Sequence, residues 1–354
     1  MLDYKKEIEE LVAIVAEEGA SDLHLTVGSH PTIRVSSGLV PVVKKPVYTG
    51  EDTMGLLMEI LSEDNKKRFL QTKDLDFSYS PNDMLRFRGN AFYQRGVVGI
   101  ALRLISNNIK TLEELNIPRV LYEFADKKQG FFLVVGPVGQ GKSTTLASLI
   151  QHINLERAEH ILTIEDPIEY LFKNERSLID QREIRFDTDD FSSALKSMFR
   201  EDVNVALIGE MRNYETISSA VTAAETGHLI FSTLHTNSAS QTIDRIIDSF
   251  PADQQKQIRV QLAGSLLGVF SQRLIPRVSG GLIPAYELLI NNSAISNLIR
   301  EGRTPEVDVV IETSAEEGML SLNHSISELV RNGDITTEMA YRYSIDPRGL
   351  ERLM

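Results

Sequence analysis

The sequence predicts an α/β protein in two parts: a small strand-rich α+β domain over residues 1–105, then a larger domain over 116–354 built on a parallel sheet. Three observations predict it. Residues 21–27 alternate apolar with polar side chains, as a half-buried strand demands, and further such runs follow before residue 105. Beyond residue 116, four short apolar runs, 131–135, 160–164, 205–208 and 228–233, are separated by amphipathic stretches long enough to be crossover helices. Each run ends in a polar cluster, and open α/β sheets place their ligands at that edge.

Ile8, Leu11, Val12 and Val15 recur at helical spacing, so an amphipathic helix opens the chain and stops near Gly19. The strand at 21–27 is closed by Gly28 and Pro31. Residues 32–35 and 39–43 flank Ser36-Ser37-Gly38 as a hairpin, and 51–70 carry one more helical pattern through Leu56, Leu57, Ile60 and Leu61. Strands are expected at 76–79, 85–94 and 97–104. Residues 106–115 read as the linker, with the capping-box spacing of Thr111 and Glu114 opening a short helix before Pro118. Residues 255–354 look mostly helical, with Leu322, Ile326, Leu329 and Val330 on one face before Gly333, and carry no evident chemistry.

Composition excludes several classes of function. The 37 Lys and Arg against 50 Asp and Glu leave a net charge of −13, which argues against nucleic-acid wrapping or attachment to an anionic membrane surface. A DNA translocase is disfavoured on the same ground. With no cysteine there is no disulfide framework, thiolate zinc site or cysteine nucleophile. No apolar stretch approaches the roughly 20 residues needed to span a bilayer, and the acidic start is unlike a secretory signal. A cytoplasmic protein with no direct membrane insertion is expected.

The strongest motif is Gly136-Pro137-Val138-Gly139-Gln140-Gly141-Lys142-Ser143, which matches G-x-x-x-x-G-K-[ST] between an apolar strand and a helix. Glycine is needed where backbone N–H groups must close around phosphate oxygens, and the helix amino terminus adds positive potential. Lys142 supplies a charge to the β- and γ-phosphates, Thr144 follows in the first turn, and the Ser143 hydroxyl is placed to ligate Mg²⁺. No [N/T]-K-x-D guanine signature follows, so ATP is the expected nucleotide.

Hydrolysis also needs carboxylates to orient water and hold the metal shell. Glu165, Asp166 and Glu169 cluster after the second run, and spacing does not choose among them. Glu210 ends the third run in Gly-Glu, a Walker B pattern with Glu in place of Asp. His228 and His235, seven apart across the fourth run, are candidates for sensing the γ-phosphate.

These segments resemble type IV pilus motor ATPases of the type II/IV secretion ATPase superfamily, and within them the PilT-like retraction, or twitching-motility, branch. The resemblance runs through Ala20-Ser-Asp-Leu-His-Leu25, Arg86-Phe-Arg-Gly-Asn-Ala91 and the 136–145 loop. It continues through the acidic box at 164–169, Ile208-Gly-Glu-Met-Arg212, the histidine box from Thr222 to Thr236, and Asp244-Arg-Ile-Ile with Phe250-Pro251. It implies a PAS-like first domain, a RecA-like ATPase domain, a homohexameric ring and ATP bound between the domains. It places the catalytic glutamate on Glu169 and the Walker B glutamate on Glu210. Arginines reaching the phosphates are expected among Arg86, Arg88, Arg103, Arg200 and Arg212. The implied partners are a pilus inner-membrane platform protein and a paralogous motor ATPase.

Two departures stand out. Ser296 replaces an arginine in Ala294-Ile-Ser-Asn-Leu-Ile-Arg300-Glu301, and 90–95 lie nearer the accessory retraction paralogue. Extension motors typically add an amino-terminal domain and a four-cysteine zinc site, and neither is expected here.

Overall fold

The computed structural model describes residues 2–35, 38–82, 85–105 and 108–354. Contacts group them into two units: Met1–Asn108 with Glu169–Leu171, and Ile109–Ile168 with Phe172–Met354.

In the first unit, α1 (Tyr4–Glu17) is capped by Asp3 and buries the stripe of Ile8, Leu11, Val12 and Val15. Strands β1 (Asp22–Leu25), β2 (Thr32–Val35) and β3 (Gly38–Pro41) follow, the hairpin tip at Ser36 and Ser37 lying outside the described residues. The single helical pattern expected over 51–70 is two helices, α2 (Gly50–Ile60) and α3 (Glu63–Thr72). Leu61 adopts an extended conformation, and the Ser62 hydroxyl restarts the helix by accepting from Asn65 N. Strands β4 (Asp74–Asn82), β5 (Leu85–Gln94) and β6 (Val97–Ile105) complete an antiparallel sheet in the order β3-β2-β1-β6-β5-β4. One core joins α1, α2 and the inward-facing strand residues.

Ser106 and Asn107 of the expected linker lie outside the described residues. The Thr111–Glu114 box closes from both sides, with Thr111 N to Glu114 Oε2 at 2.8 Å and Glu114 N to Thr111 Oγ1 at 3.3 Å. It caps a turn, not the helix expected before Pro118; α4 (Tyr122–Ala125) comes after that proline.

The second unit is built on β7 (Gly130–Val135), α5 (Lys142–Glu156), β8 (His160–Glu165), β9 (Leu178–Glu183), α6 (Phe191–Met198), β10 (Val205–Ile208), α7 (Tyr214–Glu225), β11 (Leu229–Leu234), α8 (Ala239–Asp248) and α9 (Gln255–Ser265). Residues 255–354 are mostly helical, as expected, but β12 (Leu266–Pro276) and β13 (Leu282–Ile290), which the pattern did not announce, add two long strands to the sheet. Val269, Phe270, Ile275, Ile283 and Leu288 are all buried on these strands, and the expected helical stripe packs there too, with Leu322 and Ile326 buried against Ile275 and Ile283. Helices α10 (Ser293–Glu301), α11 (Val307–Thr313), α12 (Leu322–Arg331), α13 (Thr337–Tyr343) and α14 (Pro347–Glu351) close the chain.

The seven-stranded order is β13-β12-β7-β11-β10-β8-β9, parallel throughout except where β13 pairs antiparallel with β12. β9 is a polar edge strand with no apolar run to announce it. Alternation along β7 divides the core: Phe131, Leu133 and Val135 face one apolar layer, Phe132 and Val134 the other. Among the described residues no helix is long and apolar enough to cross a membrane.

Phe132 is fully buried, stacked on Phe124 with ring centroids 4.4 Å apart and edge-on to Phe231 at 6.1 Å. Phe132→Ala is expected to destabilise the second unit by about 3–5 kcal/mol, read from its denaturant unfolding midpoint.

Candidate functional site

The carboxyl ends of β7, β8, β10 and β11 carry Gly136, Glu165, Gly209 with Glu210, and His235 respectively. Parallel register brings these ends to one edge: Val135 pairs with Leu234, Ile208 with Ser232 and Ile164 with Ile208.

Gly136, Gly139 and Gly141 have φ of +142°, +76° and +79°. At Gly136 space adds a tighter limit, because a Cβ there would come within 2.4 Å of the Gln272 carbonyl oxygen on β12. Gly141 is the N-cap of α5 and offers no side-chain bond to the first turn, leaving those N–H groups suited to an anion. Val138 is exposed at the tip of the loop; Ser143 and Thr144 lie half-buried in the first turn of α5. Lys142 is buried and its Nζ donates to Gly136 O at 3.0 Å and Pro137 O at 2.9 Å.

His235 bridges the loop to a carboxylate. Its Nδ1 is 3.3 Å from Lys142 Nζ and its Nε2 is 3.4 Å from Glu210 Oε1. Glu210 also accepts from Arg212 at 2.8 Å, and that bond, reinforced by the Arg212 and Lys142 charges against the opposing effect of burial, holds its carboxyl below the usual range. Ser232 and Thr233 hydroxyls donate to Ile208 O and Gly209 O at 2.7 and 2.6 Å, tying β11 to the Glu210 turn. A cavity of about 420 Å³ opens beside this turn, lined by Glu210, Arg212, His235, Asn237, Gln241 and Arg245 among others.

The three acids left open by spacing have different surroundings. Glu165 is buried and accepts from the Thr163 hydroxyl at 2.7 Å and Gln181 Nε2 at 3.4 Å. Asp166 pairs with Arg185 at 3.3 Å. Glu169 is exposed and groups with the first unit.

The expectation that His228 joins His235 at the phosphates is corrected by the strand between them. His228 precedes β11 at its amino end, where its ring donates from Nδ1 to Ala223 O at 3.1 Å and meets Phe199 edge-on. A six-residue strand separates the two rings' backbones by roughly 20 Å. Within the first unit, Arg103 pairs with Asp22 at 2.8 Å and Arg86 reaches Ser78 Oγ at 3.4 Å; Arg88 and, in the second unit, Arg200 are exposed. The Ser296 hydroxyl donates to Ala263 O and Asn291 Oδ1, both at 3.0 Å, fastening α10 to the end of α9.

The supporting residues missed from sequence lie on β12. Thr145 donates to Gln272 Oε1 at 2.7 Å, and Leu274 N donates to Gln140 Oε1 at 2.7 Å, so this strand backs the loop. A polar Gln-Arg pair inside a long strand was the available signal.

A family model described as type II/IV secretion system protein matches residues 4–337. The chain belongs to that family. Among its relatives, the family member named type IV pilus retractation ATPase PilT of Pseudomonas aeruginosa is 43% identical over 334 residues, covering 94% of this chain and 97% of the relative. The type IV pilus ATPase PilU of the same organism is 39% identical over 349 residues, covering 98% and 91%. A crystal structure of the pilus retraction motor PilT with bound ADP superposes with a TM-score of 0.91 at 44% identity, covering 97% of this chain and 98% of that one. The mixed α/β fold expected from sequence is therefore the fold of this family.

The loop's two kinds of glycine constraint separate by substitution. Gly136→Ala is expected to cost about 3 kcal/mol, because the opposing atom is backbone and cannot swing away. Gly139→Ala meets no atom within 4 Å and should cost about 1 kcal/mol from its positive φ alone. Equilibrium unfolding of both variants checks the difference.

Proposed function

We propose that this chain is an ATP hydrolase that assembles as a homohexameric ring and drives type IV pilus retraction and twitching motility. The observation that carries the reading is the Gly136–Ser143 loop, whose Lys142 is joined through His235 to Glu210 at one sheet edge. The PilT relationship over nearly the whole chain supports the motor assignment. By the same reading the ring works in the cytoplasm at the pilus base, against an inner-membrane platform protein and beside a paralogous motor.

The residues fit their chemistry. The uncapped first turn of α5 and the loop N–H groups bind phosphate oxygens, and the Lys142 ammonium adds charge there. A nucleotide-borne Mg²⁺ takes only one or two protein oxygens, and the Ser143 hydroxyl and Glu210 carboxylate are the donors that would hold it. When bound, it neutralises charge on the phosphates. Glu169, at the position that the resemblance to the retraction motors gives the catalytic glutamate, is the carboxylate that takes the proton of the attacking water. His235 bridges Glu210 and Lys142, and Arg86, Arg103 or another arginine compensates charge developing on the phosphates.

A second reading is a nucleotide-gated accessory subunit with little turnover. The 39% identity to PilU, over 98% of this chain, supports it. Steady-state phosphate release from the purified protein separates the two: sustained turnover favours the motor, and binding without release favours the accessory subunit.

Lys142→Ala and Glu169→Ala are each expected to reduce turnover by a factor of about 10² or more, with Glu169→Ala retaining ATP binding. Unimpaired hydrolysis by either variant would remove the assignment.

A further inference from the structure

Strand β12 serves two loops through its alternation. Gln272 and Leu274 hold the phosphate loop, as described above. Ser271 and Arg273 project to the other face of the sheet, where the chain runs from His235 into α8. There Ser271 Oγ donates to Asn237 O at 3.0 Å, and Arg273 donates to Asn237 Oδ1 at 3.0 Å.

The same turn is gripped from β13. Glu287, opposite Ser271 in the ladder and 6% exposed, accepts from Ala239 N, the first residue of α8, at 2.7 Å. Burial pushes its carboxyl up to about 7, a shift increased by Asp308 of α11 and opposed by the Ala239 N–H and by Arg273. On the other face of β13, Glu328 of α12 bears on Tyr286. Arg273 Nε is buried with no hydrogen-bond partner among the described residues. The buried Glu287 and the half-buried Arg273 thus converge on residues 237–239, two positions after His235.

We propose that Glu287, acting with Arg273, is a positioning residue for ATP hydrolysis: its carboxylate charge holds the 237–239 turn and thereby the placement of His235 between Lys142 and Glu210. The charged form is the competent one. It attracts Arg273, whose Nη2 donates to Asn237 Oδ1, and protonation relaxes that hold. This inference rests on the hydrolytic reading above.

The test is phosphate release by the full-length protein across neutral pH, with Glu287→Gln, Arg273→Gln and the double variant. Glutamine keeps an oxygen for Ala239 N–H and removes the charge. For the wild type, kcat should fall as pH drops through about 7. Glu287→Gln should lack that limb, with kcat about tenfold lower above it and KM for ATP within about twofold. Arg273→Gln should behave alike, and the double variant should be no slower than the slower single one.

Stability must move the other way. A carboxyl whose folded pKa is raised loses stability as pH rises through about 7, so Glu287→Gln should melt no lower than wild type above that pH. A Glu287→Gln enzyme that keeps the pH limb, additive losses in the double variant, or slowing matched by a lowered melting temperature would each overturn the inference. A wild type that hydrolyses ATP without a limb near neutrality overturns this inference alone. A wild type without turnover overturns the functional reading with it.

Discussion

The contact between Gly136 and the Gln272 carbonyl governs the second unit. A side chain at Gly136 would collide with that oxygen at 2.4 Å, so the phosphate loop exists in this form only because β12 runs past the end of β7 with bare backbone facing bare backbone. Everything next to the loop follows from this approach. Beyond the last β7 pairing, at Ser271, the strand has backbone groups that would go unsatisfied, and Gln140 of the loop takes the N–H of Leu274. Gln272 in turn accepts from Thr145 in the first turn of α5. The loop is therefore braced by a neighbouring strand as well as by its own motif.

Much of this was legible in the residues. The 3.6-residue stripe of α1 survives unchanged, since Ile8, Leu11, Val12 and Val15 are all buried, and the apolar runs of the parallel sheet were readable because strands buried on both faces admit almost nothing polar. The phosphate loop was legible because its glycines answer to steric limits that few other residues satisfy. What escaped has physical reasons. One stripe through 51–70 hid a break because Leu61 remains apolar and buried while leaving the helical conformation. β12 and β13 escaped because Gln272, Arg273 and Glu287 interrupt their apolar runs, and those polar residues are the ones that reach the loops. His228 and His235 looked equivalent because periodicity gives no direction along a strand.

Electrostatics at the sheet edge is local within a chain of net charge −13. Lys142 and His235 stand within hydrogen-bonding range of each other, and Glu210 offsets both, with Arg212 fixing its far oxygen. Such a chain of alternating groups strengthens when water is excluded and is sensitive to any displacement of its middle member. His235 is that member, and it follows directly from a fully buried strand.

The position of His235 also has a mechanical meaning. β11 is hydrogen-bonded on both sides and buried at all six residues, so it is stiff along its length. Its His235 end meets Lys142 and Glu210, and its His228 end meets Ala223 and Phe199. The strand is a strut joining the nucleotide edge to the opposite edge of the sheet, and the two histidines mark its ends.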